Sequence, residues 1–479
     1  MRGVRRPAER AGRELIGRAF VSWALSRFAV FALIGLLPWP AGAATLDFSQ
    51  AVAVALRQNP SLMAAQAAEA QARAGLAQAQ GARFPKVVAS LNATRTDDAL
   101  NAFGLKLAQR RATFNDFGAA QFSGPSALGI APQNLNYPGA VNNFDTRLEA
   151  QLPLYTGGKL TGYLRQAEAM VRAAQAGDAA AQQQVIYHVL EAYDGVYTAR
   201  AYQAVTAQAL QAAQSQLRIV QSLYRQGVVV KSDLLSAQVN VEDMKLKQDE
   251  AADLEARAMD GLHVVLGLPL EERIELGPAV DVSMPAGDPA AWAREAQAQN
   301  PQIAALRHQL AAAGDKVTVA RADLYPQVGL LARYDWNDPH LGFAAPSYTL
   351  GGQLSWTVFD AGVTRGAIDQ AQAARMETAA KLRQAEAELA MRVQEAYRKT
   401  REAQRQVEVL SLAAAQSTEA AGIVAKRYAG GLATLAEMQG AQAQLDRARA
   451  DLVAAHAQVN LQRAALKLAL GQLDTRHLP

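Results

Sequence analysis

The same succession of signals occurs twice along this chain, and that doubling limits its fold more than any other feature of the sequence. QNPSL at Gln58 returns as QNPQI at Gln299, and FPKV at Phe84 returns as YPQV at Tyr325, both offset by 241 residues. LPLYTGG, with Tyr155, answers TVFDAG, with Phe359; EAY at Glu191 answers EAY at Glu395; YRQG at Tyr224 answers YAGG at Tyr428; LG at Gly267 answers LG at Gly471. These later pairs share an offset of 204, so the difference between 241 and 204 is a 37-residue insertion in the first copy. It falls within residues 97–142, rich in Gly, Pro, Asn and Phe, and reads as an enlarged loop.

Each copy predicts helix, strand, loop, strand, very long helix, tight turn, helix. The expected divisions are a leader at 1–44, a first repeat at 45–268, a linker at 269–288 and a second repeat at 289–479. No proline lies between Pro153 and Pro269 or between Pro346 and Pro479, so helices can run from Lys159 to Gln226 and from Val363 to Ala429 without a forced break. At 1.5 Å per residue each spans on the order of 100 Å, far beyond the needs of a globular domain. Apolar residues recur at three and four, as in Val185, Val189, Tyr193 and Val196, which suits coiled-coil-like packing.

The strands alternate. Phe144, Thr146, Leu148, Ala150, Leu152 and Leu154 oppose Asp145, Arg147, Glu149, Gln151, Pro153 and Tyr155; Val328, Leu330, Ala332, Tyr334 and Trp336 oppose Gln327, Gly329, Leu331, Arg333 and Asp335. The strand before the first of these, Val87 to Thr94, and the strand from Tyr348 to Val358 behave alike. About ten residues with one apolar face, one polar face and aromatics near the ends fit an outer-membrane barrel. A soluble sheet with one face on a core fits the alternation equally well.

Lys+Arg 48 against Asp+Glu 44 gives a formal charge of +4, which raises the question of nucleic acid. Seven of the basic residues and two of the acidic ones lie in the first 43 positions, leaving 41 against 42, so nucleic acid is dropped. That leader reads as a secretory signal: a basic stretch, the apolar run Phe28–Leu37, then AGAA ending at Ala44. Ten apolar residues are too few to span a bilayer of ~30 Å as a helix. Cysteine is absent, which removes disulfides, thiolate metal sites and lipid attachment to an N-terminal cysteine.

In lipid an open sheet edge leaves backbone groups unpaired, so a barrel must close. Four strands are too few, since bacterial barrels start at about eight. Closure therefore requires at least two copies of the chain.

The leader, the doubled order of helix, strand, strand and helical hairpin, and the QNP, FP/YP, LPLYTGG/VFDAG and YxxG signals resemble the TolC family of outer-membrane efflux proteins over nearly the whole mature chain. The resemblance implies a mainly α fold with a membrane β-barrel section. It implies a homotrimer: a 12-stranded barrel in outer membrane lipid continued by a 12-helix periplasmic α-barrel. It also implies a periplasmic adaptor (membrane fusion protein) and an inner-membrane pump of RND or ABC type, with this chain as the passive exit duct of a tripartite efflux or type I secretion system. No cofactor or metal is implied.

The resemblance puts the periplasmic gate and the adaptor contact at the hairpin tips, YRQGVVVKSDLLSA and YAGGLATLAEMQGA. It assigns to them Tyr224, Gly227, Asp233, Leu234, Tyr428, Gly431, Leu432 and Glu437. Repeated about a threefold axis, Glu437 would form an acidic ring favouring cations. From the residues alone, Asp233 reads as an N-cap and Glu437 as an early-turn charge that suits a helix dipole. Ala433 stands where some members carry a latching arginine, and Gly440 where a second ring aspartate can occur. In a barrel, Asp145, Arg147, Glu149, Gln151, Arg333 and Gln353 face the lumen.

Catalytic signals are missing. The six histidines are scattered, without HExxH or GxSxG, and GGKLTG at Gly157 lacks Walker A spacing. Tyr193, Tyr197 and Tyr397 read as interhelix packing. The reading that competes from another class is a periplasmic coiled-coil scaffold or adaptor-like protein without a barrel, which leaves the leader and the paired amphipathic strands unexplained.

Overall fold

The computed structural model describes residues 45–474; the predicted leader lies outside the described residues. Thr45 and Arg273–Glu275 fall in a small unit of their own, and the other described residues, Leu46–Glu272 and those from Leu276 on, form a second unit.

In the first copy, α1 (Phe48–Gln58) and α2 (Pro60–Gly81) lead to β1 (Lys86–Thr96). The insertion comes next, and then β2 (Val141–Tyr155), α4 (Lys159–Arg225) and α5 (Lys231–Leu266). The insertion is not all loop: it contains α3 (Ala99–Ala108), whose N-cap Asp98 accepts from the Asn101 N–H at 2.9 Å, and several short helical turns. The second copy runs α6 (Trp292–Gln299), α7 (Pro301–Arg321), β3 (Gln327–Asp338), β4 (Pro346–Ser355), α8 (Val363–Ala429) and α9 (Leu435–Leu470). The long helices α4 and α8 have 67 residues each, and α5 and α9 have 36 each, all in step with the 204-residue offset.

The two copies also start alike. Asn59 and Asn300 cap α2 and α7, each with proline in the first turn, where a missing N–H costs nothing. Phe48 meets Tyr193 edge-on at 5.6 Å, and Trp292 meets Tyr397 edge-on at 5.5 Å. Tyr193 and Tyr397 are equivalent positions, so the predicted packing role holds in both. Val185, Val189, Tyr193 and Val196 are buried, each contributing roughly 1.5–3 kcal/mol of apolar transfer. In the second copy Trp292, Ile303, Leu389, Val393, Leu466 and Leu470 form the corresponding core.

The four strands form one antiparallel sheet in the order β1-β2-β3-β4. Leu148 pairs with Ala89 on one side and Tyr334 on the other, and Tyr334 pairs with Tyr348, so the apolar residues of all four strands share one face. The register slips once, between Pro153 and Tyr155. β4 ends at Ser355, short of the predicted Val358. There the Trp356 indole N–H donates to the Leu324 carbonyl at 3.1 Å and the chain leaves the ladder.

Among the described residues no helix is long and apolar enough to cross a membrane.

Candidate functional site

Among the described residues nothing covers the apolar face of the sheet. Tyr348 and Leu350 are each 75% exposed, and Val87, Leu91, Leu148, Leu330 and Leu354 are exposed with them. A soluble sheet would bury this face on a core. Exposed apolar area this continuous marks contact with another apolar phase or chain. The outer edges of β1 and β4 have no strand partner within the sheet.

The opposite face is polar and wired. Arg147 donates from Nε to Asp335 Oδ1 at 2.6 Å and from an Nη to Asp145 at 2.9 Å, and Arg333 Nε donates to Asp335 Oδ2 at 2.8 Å. Gln151 donates to Glu149 at 2.5 Å. Gln353 pairs with Gly329 in the ladder and stands exposed. Five of the six predicted lumen-facing residues thus enter hydrogen bonds on one face. Asp335, the acceptor shared by both arginines and only 6% exposed, was missed as a site residue. Its signal is the pairing of Arg147 with Asp335, a register that joins the two copies across 188 positions.

The insertion folds onto the end of this face remote from the helices. Gln109 donates to the Asn142 carbonyl at 2.7 Å and to Asn143 Oδ1 at 2.9 Å, and Arg110 reaches the Pro346 carbonyl at 2.6 Å. Lys106 and Asp116 pair at 2.6 Å within it. Hydrogen bonds from Lys106 and from the Thr113 N–H and hydroxyl lower the Asp116 carboxyl to about 2.

The hairpin tips lie at the other end of the long helices. Gly227 (φ 73°) and Gly431 (φ 71°) turn the chain after α4 and α8 in left-handed geometry that a Cβ would strain. Both turns are closed by the same pair of bonds, Gly227 N–H to Tyr224 O with Val228 N–H to Leu223 O, and Gly431 N–H to Tyr428 O with Leu432 N–H to Arg427 O. The tips pack together around Val220, Ala237, Tyr428, Leu435 and Met438, with Leu234 against them. Tyr428 is 4% exposed whereas its equivalent, Tyr224, is 39% exposed. Burial, with the nearby Asp233 charge, raises the Tyr428 hydroxyl above its usual range, and that hydroxyl makes no hydrogen bond. Leu432 stands out into solvent, as do Val228 and Val230.

The tip acids differ from the expectation in one respect. Asp233 is not an N-cap: Val230 occupies that position in α5 and Asp233 lies three residues on, where its charge still suits the helix N-terminus. In the second copy the equivalent of Val230 is Thr434, which does cap α9. Glu437 completes a capping box there, accepting from the Thr434 N–H at 2.7 Å and hydroxyl at 3.0 Å, while its own N–H donates to Thr434 Oγ1 at 3.2 Å. Those bonds hold the Glu437 carboxyl below its usual range. Ala433 packs against the tip core as a partly buried apolar residue.

The profile of the outer membrane efflux protein family matches residues 51–268 and 292–472. The chain belongs to that family. It is 30% identical over 326 residues to protein CyaE of Bordetella pertussis, covering 67% of this chain and 69% of that one. Over 201 residues it is 28% identical to the alkaline protease secretion protein AprF of Pseudomonas aeruginosa, covering 40% of this chain and 41% of that one. Its fold is similar to the CmeC outer membrane channel of Campylobacter jejuni, with TM-score 0.74 at 17% identity, covering 90% of this chain and 87% of that one. This outer membrane efflux protein therefore has the architecture of an outer membrane channel: a transport protein, with its sheet as a barrel section and its helical hairpins as the periplasmic part.

Proposed function

We propose that three copies of this chain form the passive exit duct of a tripartite efflux or type I secretion system. Their sheets make a 12-stranded barrel in the outer membrane and their hairpins a 12-helix periplasmic tube. The observation that carries this reading is the sheet itself, apolar and uncovered on one face, ion-paired on the other and open at both edges. Joining β4 of one copy to β1 of the next removes every open edge, turns the apolar faces to lipid and the Arg147–Asp335 network to water. The 1–44, 45–268, 269–288 and 289–479 divisions are proposed as leader, first repeat, linker and second repeat.

The hairpin tips serve as periplasmic gate and as the contact for an adaptor, which an RND or ABC pump in the inner membrane loads. Exposed Val228, Val230 and Leu432 offer the adaptor an apolar patch. Glu437, already held ionised by its capping box, supplies the acidic ring. Energy and chemistry reside in the pump, so this chain needs no catalytic residue or cofactor of its own. The name of AprF, a protease secretion protein, favours protein cargo within this reading.

Fractionation tests the assignment. The chain is expected in the outer membrane fraction and to need detergent for extraction; release by osmotic shock in soluble form favours the periplasmic scaffold instead.

A further inference from the structure

Within one chain the four long helices stand in a row, α5-α4-α9-α8, with an exposed flank at each end. The inner seam, α4 against α9, is antiparallel and its register is recorded by two contacts: Gln183 donates to the Gly471 carbonyl, and Arg449 to Gln208. Interpolating between them puts Tyr187 beside Leu468, Ala201 beside Ala454 and Val205 beside Ala450. The 204-residue repeat maps α4 onto α8 and α9 onto α5. If the outer flanks meet as the inner ones do, those three pairs become Met391 beside Val264, Arg405 beside Glu250 and Val409 beside Leu246.

The chemistry of the exposed flanks matches that register. Met391, Val264, Val409 and Leu246 are all exposed large apolar residues. Arg401 and Arg405 on α8 and Glu250 and Asp253 on α5 are exposed as well, and in the single chain none of these four makes a salt bridge among the described residues. Moving one helix by a single turn would put Arg405 opposite Leu246 and Val409 opposite Glu242, so that Arg401 with Glu250 is the one charge pair left and the apolar match at Val409 is lost.

We propose that a second copy of this chain docks its α5 flank on this α8 flank in the repeat-derived register, with Met391–Val264 and Val409–Leu246 as apolar stops and Arg401 and Arg405 paired with Asp253 and Glu250. The occupant is a copy of the same chain, because α5 supplies complementary charge and apolar positions at matching places. The tube then has two kinds of seam. Inside a chain Ala201 meets Ala454, which permits close approach; between chains Arg405 meets Glu250, which fixes partner and register but weakens with salt. The inference rests on the homotrimer proposed above and adds its register.

The chain contains no cysteine, so introduced thiols report on this seam alone. Full-length protein carrying Val409→Cys and Leu246→Cys, oxidised in outer membranes, is expected to give covalent dimers and trimers on non-reducing gels. Val409→Cys with Val239→Cys, whose second thiol moves by about 10 Å along the helix, is expected to give none. As a second readout, Arg405→Glu should reduce the trimer fraction severalfold at low salt, and adding Glu250→Arg should restore it. Trimers by native mass that cross-link only through the Val239 pair overturn the register while leaving the trimer intact. Monomers of the unmodified chain overturn both.

Discussion

Arg147 and Asp335 face each other on the two middle strands of the sheet, 2.6 Å apart, and so join the first repeat to the second on the polar face. Asp335 is nearly buried and also receives Arg333, so its charge is balanced by side chains from both strands. Replacing Arg147 with Ala leaves Asp145 and Asp335 less compensated and makes the proposed lumen more negative by one charge per chain. Reversal potentials in planar bilayers should shift toward greater cation preference. Heat stability of the oligomer should fall by about 1–2 kcal/mol per chain, below the usual cost of breaking a buried pair because part of Arg147 is solvent-exposed.

Glu437 offers a cleaner test of the acidic ring, because its two roles separate by substitution. Glu437→Gln keeps an oxygen to accept from Thr434 and retains the capping box, yet removes the charge. Cation preference is expected to drop while the melting temperature stays near that of the parent. Since the folded carboxyl lies below its usual range, preference should persist as pH falls through the ordinary carboxylate range and fade only below it. Selectivity unchanged in Glu437→Gln rules out the ring.

Asp194 sits in α4 at 8% exposure, with Oδ2 unpartnered, and burial raises its carboxyl to about 6. The folded state then binds this proton more tightly than the unfolded chain, so the contribution of Asp194 to stability is fully present below about 4 and is lost as pH rises through about 6. Asp194→Asn removes that loss. Thermal melts of the two proteins should coincide near pH 4 and separate by on the order of 3 kcal/mol above pH 6.5; parallel curves contradict the assignment.

The insertion is predicted to restrict the remote mouth of the barrel, since Gln109 bonds Asn143 on the polar face and Arg110 bonds the Pro346 carbonyl. Replacing residues 98–139 with a short Gly-rich turn keeps the β1–β2 pairing, so oligomers should still form. Single-channel conductance should rise. Equal conductance would place the insertion outside the ion path.

The long helices were legible because nothing in 154–268 or 347–478 forbids them and their apolar spacing is regular: both 67-residue helices end within one residue of the expected limit. The polar strand face was legible from alternation. Three features were not. Val230 as a helix cap carries no side-chain signal, so Asp233, a residue type that favours caps, drew the assignment. The helix in the insertion was hidden by the Gly, Pro and Asn around it, although Asp98 marks its start. The role of Asp335 depends on register across a ladder that pairs residues far apart in sequence, and composition says nothing of that.

The most direct test of the central claim is the native mass of the protein extracted from outer membranes in mild detergent. Closure of a four-stranded section into a 12-stranded barrel predicts a trimer that is stable only with detergent present. A detergent-free soluble monomer or dimer would contradict the barrel, leaving the exposed apolar face of the sheet to be covered in some other way.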